Sequence, residues 1–409
     1  MKVLGLGTYP ILLPVHGGQR RVSQIANYYR LNDIEYRYAS VYSSTSYSPE
    51  KVTEGDYPYA SIGGIYSEIP FIDDLGSGVF AASQDGAYRH FRTLIQGYQP
   101  DVIQFEQPWM WPLIRKLRDE GVCLNTALIY SSQNFEPPLK RQILESVGVD
   151  RDRVALAERM ILDLEAELTG EADLLICVSK ADAAAYKALN PRCTPLVVRN
   201  GAERPSETKR PPYGELMKAN SYLYYVGSAY PPNIQGFERF ILNSTLYGFP
   251  PEKLFAVCGG ASEAIYGSSL YGPHAEGHGD RVHFFTGPSD AELAWLRENS
   301  KGILLPIANG GGSNLKTAEA IASGKWVITT DVALRSFEDY QTEPGILVAR
   351  TPRDFQQAML DVIYGKPLKL TAKQVRKREA LLWDRLLADS GLAGRVLALG
   401  PVLDGKGAA

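Results

Sequence analysis

Apolar residues along this chain come in short blocks separated by stretches with helical spacing. The blocks at 3–7, 36–41, 102–105, 124–130, 172–179 and 195–198 are too short for buried helices and read as strands covered on both faces. Between them, 20–31, 86–97, 111–120 and 151–170 carry a helical period, and a further helix opens at Lys180. Strand alternating with helix predicts a parallel sheet, whose ligands lie beyond the carboxyl ends of the strands. Residues 42–86 read as irregular, because Pro49, Pro58, Pro70 and several Gly and Ser positions interrupt any period. A long stretch of that kind is functional or mobile, and here it is a candidate acceptor wall.

The pattern then repeats. Blocks at 222–227, 254–258, 282–285, 303–306 and 326–330 are predicted strands, and 234–242, 352–364 and 371–387 predicted helices. The charged, proline-rich stretch RPSETKRPPYGELMKAN between the two series marks a linker. The expected organisation is a Rossmann-like domain over 1–203, a linker over 204–218 and a second such domain over 219–372. A helix and tail over 373–409 are expected to cross back to the first domain.

Composition narrows the class. At 409 residues, 44% hydrophobic and 22% charged, the chain has the make-up of a soluble multidomain protein with no apolar run that would span a bilayer. The opening MKVLGLGTYPILLPVHGG has the look of a leader, but Thr8, Tyr9 and Pro10 break its apolar run, so it reads as a first strand and loop. A net charge of −3 lacks the footprint of a nucleic-acid binder. The four cysteines, Cys123, Cys177, Cys193 and Cys258, are widely spaced and fit a reducing, cytoplasmic setting. Cys123, Cys177 and Cys258 fall in apolar, strand-like surroundings and read as inert core residues. Tyrosine outnumbers phenylalanine 24 to 13, which suits either a wet, partly apolar groove or a plain domain surface.

The richest chemistry lies in 301–330, where a strand runs through Gly310, Gly311 and Gly312 into a helix carrying Lys316 and Glu319, then into another strand. A helix N-terminus at a strand's carboxyl end presents unpaired N–H groups and a partial positive charge, a seat for phosphate. The plainer alternative is a loop followed by a solvated Lys–Glu helix face. Gly17 and Gly18 sit before the first helix in the same way, or form an ordinary turn. Polar residues cluster at two strand ends: Glu106, and Ser131 through Glu136 with Asn134. His274, His278 and His283 with Glu276 and Asp280 are the only metal-like grouping, in a glycine-rich loop that supplies no helical register to aim them, so no metal is expected. Arg115, Lys116 and Arg118 after Trp109 and Trp111 point weakly to peripheral membrane contact and otherwise form a solvated face. The Lys and Arg residues between 366 and 378 read as a solvated helix face.

Several pieces fall in an order that resembles retaining glycosyltransferases of the GT-B fold, group 1 or family 4 type. They are Gly17-Gly18, Ser132 to Glu136, Val178-Ser179-Lys180, Asn200-Gly201, Tyr225 to Ser228 with Asn233, Phe285-Thr286-Gly287, and Pro306, Gly310 to Ser313, Lys316, Glu319-Ala320 and Gly324 to Thr330. The resemblance implies an α/β chain with two Rossmann-like domains facing each other across a cleft. It implies transfer of a sugar from a UDP- or GDP-linked donor, with retention, to a glycan, glycolipid or glycoprotein, and no further cofactor. A lipid-linked acceptor would bring the chain to the inner face of a membrane.

In that family pattern Glu319 accepts from the ribose hydroxyls, and Lys316 with the N–H groups of Gly312, Ser313 and Asn314 holds the diphosphate. Gly17 and Gly18 close on the diphosphate, and Phe285 and Thr286 face the base. Three positions depart from the pattern: Gly311 stands where the first of two glutamates is common, Gln133 where a histidine is usual, and Ser228 where an arginine is frequent. Glu106, Asn134 and Glu136 are candidates to meet the sugar by strand-end position. An epimerase or phosphorylase on the same fold, and a non-catalytic nucleotide- or glycan-binding protein, are the alternatives.

Overall fold

The computed structural model describes residues 1–60, 62–205, 207–242, 246, 248–278 and 281–400. It forms two compact units: Met1–Arg199 with Gly311–Ser313 and Leu387–Ala409, and Asn200–Gly310 with Asn314–Leu386.

The first unit runs β1 (Lys2–Gly7), α1 (Gly17–Leu31), β2 (Glu35–Ser43), β3 (Tyr57–Tyr59), α2 (Ile65–Glu68), α3 (Asp73–Ser83), α4 (Asp85–Tyr98) and β4 (Val102–Phe105). It continues α5 (Trp111–Asp119), β5 (Ala127–Ser131), α6 (Glu136–Ser146), α7 (Arg151–Glu171), β6 (Leu174–Cys177), α8 (Lys180–Leu189) and β7 (Leu196–Val197). The strands form one parallel sheet in the order β3-β2-β1-β4-β5-β6-β7. Leu4, Leu6, Ile103, Phe105, Leu128 and Tyr130 send fully buried side chains into its core. Gly5 and Gly7 in β1 have a specific cause: a Cβ at either would run into the Tyr36 or Tyr38 hydroxyl of the neighbouring strand.

Four expectations change here. Residues 42–86 are not irregular throughout, since they contain β3, α2 and the three-turn α3. That helix buries Leu75, Gly76, Ser77, Gly78 and Ala81, and a Cβ on Gly78 would fall on the Trp109 carbonyl. Its packing face is made of small residues, so no apolar period marks it. Helix α6 opens Glu136-Pro137-Pro138, with proline in the first turn, where its missing N–H costs nothing. Cys123 is not a strand residue; it sits half-buried in the turn before β5 with φ 53°. Trp109 and Trp111 are buried in the core, Arg115 pairs with Glu167, and Lys116 donates to the Ala82 carbonyl at 2.7 Å. The sequence pointer to membrane contact there loses its aromatic anchors.

The second unit runs α9 (Gly214–Asn220), β8 (Tyr222–Val226), α10 (Pro231–Phe237), β9 (Leu254–Cys258), α11 (Ala261–Tyr266), α12 (Ala275–His278), β10 (Val282–Phe285), α13 (Asp290–Asn299) and β11 (Gly302–Leu305). Then follow α14 (Leu315–Ala322), β12 (Trp326–Thr329), β13 (Ile346–Val348), α15 (Pro352–Tyr364) and α16 (Ala372–Glu379). The chain ends with α17 (Trp383–Asp389) and α18 (Leu392–Leu397). Its parallel sheet has the order β10-β9-β8-β11-β12-β13. Leu223, Tyr225, Val257, Leu304 and Ile328 pack with Phe355 and Met359 of α15.

Two further corrections arise in this unit. The single helix expected over 371–387 is broken into α16 and α17. Arg378 of α16 is not solvated but buried, donating to the carbonyls of Ile321 (3.2 Å), Lys325 (3.0 Å) and Pro344 (2.6 Å). It caps the C-terminal end of α14, where the helix dipole favours a cation. The loop containing His274 and His278 does hold a short helical stretch, Gly272–His274 and α12. His278 there is buried and stacked on Tyr271, while Asp280 lies outside the described residues.

Candidate active site

In the second unit the chain leaves β11 and reaches α14 through Gly310 (φ 133°) and Gly312 (φ 59°), conformations that L side chains rarely adopt. Asn314 caps the helix by accepting from the Lys316 N–H at 3.1 Å. Lys316 and Glu319, three residues apart, share one face. The Lys316 ammonium donates to Asn233 Oδ1 at 2.7 Å, and Asn233 in turn donates to the carbonyl and hydroxyl of Ser228, both at 3.1 Å. The Tyr225 hydroxyl donates to the Asn233 carbonyl at 2.9 Å, so the lysine tip is fixed by a chain of bonds rooted in β8. Burial pushes the Lys316 ammonium down to about 8, with Glu319 pulling the other way. Glu319 faces Arg297 of α13 at 3.8 Å, both side chains largely covered at 24% and 16% exposure.

Arg297 was invisible in sequence, being one more charged residue on an amphipathic helix. Lys316, Glu319 and Asn314 are brought together as their spacing implies, whereas Gly311, Gly312 and Ser313 group with the first unit. The Phe285 carbonyl is already occupied, accepting from Gly259 N–H at 3.0 Å and Ser262 hydroxyl at 3.4 Å. Of the expected base-facing backbone, Thr286 and Gly287 remain exposed.

In the first unit Gly17 and Gly18 form the first turn of α1. His16 and Gln19 close a capping box, and Gln19 also accepts from Val15 N–H (2.7 Å) and donates to the Pro10 carbonyl (2.6 Å). Gly17 is exposed. Gly18 is a close-packing glycine, because a Cβ there would come within 2.6 Å of the Tyr9 hydroxyl and 2.7 Å of Gln133 Oε1.

Glu106 differs from the expectation that it meets a ligand. It is 0% exposed, accepting from Gln104 Nε2 (2.6 Å) and Tyr36 hydroxyl (2.9 Å), and burial pushes its carboxyl up. That makes it a tie from the end of β4 across β1 to Tyr36 of β2 rather than a group open to substrate. Asn134 is half-buried and donates to Glu136 Oε1 at 3.3 Å. Glu136 begins α6 and is nearly covered; burial pushes its carboxyl up to about 7 while Lys140 opposes the shift. Lys140 itself is held by Asp74 at 2.8 Å and the Phe71 carbonyl at 2.6 Å.

Glu165 of α7 was missed. Val154, Ala157, Ile161, Leu164 and Leu168 define the buried face of that helix, and Glu165, four residues after Ile161, lies on it. A carboxylate at a core-facing position was the available signal.

Two parallel-sheet Rossmann-like units, the second with a glycine loop feeding a Lys–Glu helix, define the GT-B class. Residues 220–364 match the family described as glycosyl transferases group 1. Solved structures share the fold across nearly the whole chain. Sucrose-phosphate synthase from Thermosynechococcus elongatus aligns at TM-score 0.62 and 16% identity, covering 98% of this chain and 94% of that one. HepE from Anabaena, solved with UDP and glucose, aligns at TM-score 0.57 and 14% identity, covering 98% and 97%. The lipopolysaccharide outer core galactosyltransferase WaaB aligns at TM-score 0.59 and 14% identity, covering 96% and 100%. No curated protein matches the sequence. Among the described residues no helix is long and apolar enough to cross a membrane. Among the same residues no group of three or more His, Cys, Asp or Glu is placed to hold a metal ion.

Proposed function

We propose that the chain transfers a sugar from a nucleotide-sugar donor, UDP- or GDP-linked, to a glycan, glycolipid or glycoprotein acceptor with retention of configuration. The observation that carries this reading is the Lys316 ammonium, fixed by Asn233 one turn from Glu319 at the start of a glycine-fed helix. Glu319 would accept from both ribose hydroxyls, a bidentate use of one carboxylate. Lys316 and the first N–H groups of α14 would meet the diphosphate and the charge that grows on it as the bond from anomeric carbon to phosphate oxygen breaks. The acceptor oxygen forms the new bond, and the leaving phosphate takes its proton, so Gln133 in place of a histidine is compatible with turnover. UDP in the HepE structure and the description of WaaB as a lipopolysaccharide outer core galactosyltransferase support a nucleotide donor and a carbohydrate acceptor. Asn134 and Glu136 are the first unit's candidates for meeting a sugar.

The test is thermal stabilisation of the purified protein by UDP, GDP and their sugar conjugates. A shift with at least one of them, abolished in Glu319→Ala, is expected. Absence of a shift with every nucleoside diphosphate and nucleotide sugar would overturn the reading.

A further inference from the structure

The turn over residues 132–136 carries Asn134 and Glu136, and side chains of α7 and α8 hold its backbone. Glu165 is wholly buried on α7. Its Oε1 accepts from the Glu136 backbone N–H at 3.1 Å and from the Tyr186 hydroxyl at 3.3 Å, and its Oε2 accepts from the Tyr130 hydroxyl at 2.8 Å. The Tyr186 oxygen lies 2.7 Å from the Ser132 hydroxyl and 3.1 Å from the Asn134 carbonyl, its one proton shared between that carbonyl and Glu165. Ser132 also donates to that carbonyl, at 2.7 Å.

We propose that Glu165 is the positioning residue of this turn, holding Glu136 by its amide directly and Ser132 and Asn134 through Tyr186, so that the turn is presented in one geometry. That Asn134 and Glu136 face a sugar rests on the function proposed above; the positioning itself does not.

The surroundings give this clamp a dependence on protonation. Glu165 is pushed up to about 8 and Glu136 up to about 7, each chiefly by burial and each raised or opposed by neighbours. Around them stand Tyr130 of β5, Tyr186 and Asp182 of α8, Lys140 of α6 and Asp74 of α3. Both phenols are held well above their ordinary range and stay neutral. Asp182 accepts from the Ser179 hydroxyl and the Phe135 N–H, and Lys140 is paired with Asp74. The negative charge of Glu136 adds to the upward push on Glu165.

When the turn opens and water reaches the carboxyls they return to about 4.3, the ordinary glutamate value, and release protons to solvent. Opening is thus favoured by rising pH between that value and about 8 and levels off above it. In Glu165→Gln the amide oxygen still accepts from Glu136 N–H, but one of the two protons is no longer in play.

Amide hydrogen exchange of the 132–136 segment tests this without reference to activity. Protection, normalised to the intrinsic rate, is expected to fall at least tenfold in the wild type between pH 5.5 and 8.5. Glu165→Gln should keep the protection at pH 5.5 and show a clearly shallower fall. Glu165→Ala should lose it at both pH values; should that variant not fold, the glutamine comparison decides alone. Identical pH slopes in wild type and Glu165→Gln, or full protection in a folded Glu165→Ala, would overturn the proposal. Donor turnover supplies the separate arm: Glu165→Ala should lower kcat with little change in KM for the nucleotide sugar. A wild type that turns over no donor would count against the proposed function and leave the exchange result standing.

Discussion

The proposed donor site makes nucleotide binding fall with pH in a range where most lysines are silent, through the charge on Lys316. With its ammonium at about 8, Lys316 is roughly nine-tenths charged at pH 7 and one-tenth charged at pH 9. A bound diphosphate favours the charged form, so binding above pH 8 must be accompanied by proton uptake. The apparent Kd for UDP or GDP should therefore rise about tenfold between pH 7 and pH 9, since each pH unit above the free value adds a factor of about ten. The diphosphate's own last ionisation, near 6, is complete in this range and does not contribute.

Lys316→Met should weaken binding at pH 7 by the worth of a charge-assisted hydrogen bond, about 1.5–3 kcal/mol, and flatten the pH dependence. The unliganded protein should show the opposite trend. Its lysine lies below the unfolded value of 10.5, so the unfolded chain binds more protons between about 8 and 10.5, and this one group adds stability as pH rises there. Calorimetric titration of UDP and GDP from pH 7 to 9.5 in buffers of differing ionisation heat reads both Kd and proton uptake. An equal pH slope in wild type and Lys316→Met would refute the reasoning.

Two predictions concern the frame around the site. Arg378→Met should destabilise the second unit by about 2–4 kcal/mol in urea unfolding, because the buried guanidinium's three hydrogen bonds to the Ile321, Lys325 and Pro344 carbonyls are lost. Gly78→Ala should cost about 1–3 kcal/mol and lower Tm, because its methyl collides with the Trp109 carbonyl, a backbone atom that cannot rotate away; an unchanged Tm would show that α3 is free to shift.

Most strands of both sheets were legible as short apolar blocks, and the doubly wound order followed from their alternation with helices; the three-residue edge strands β3 and β13 were not, being too short to show a pattern. Val102–Phe105, Leu254–Cys258 and Val282–Phe285 begin and end where the hydrophobic pattern does. What escaped was structure that does not advertise itself through apolar period. Helix α3 packs through Gly76, Ser77 and Gly78, and α6 opens on two prolines, so neither presents a stripe of large side chains.

The candidate site divides in the same way. Lys316 and Glu319 were readable because they are local: one helix, a fixed spacing and a glycine loop before it. Their partners are not, since Asn233 reaches Lys316 across 83 residues of chain and Arg297 meets Glu319 from another helix. Glu106 shows the limit from the other side. A strand-end carboxylate is equally well placed to meet a ligand or to tie strands together, and it is the hydroxyl of Tyr36, reaching from β2 across β1, that ties Glu106 into the sheet. Glu165 is the sharper case, since a carboxylate on the buried face of a helix must have partners to exist there at all. Its partners are the turn that carries Asn134 and Glu136, so the helix position least suited to a charge is the one that shapes that turn.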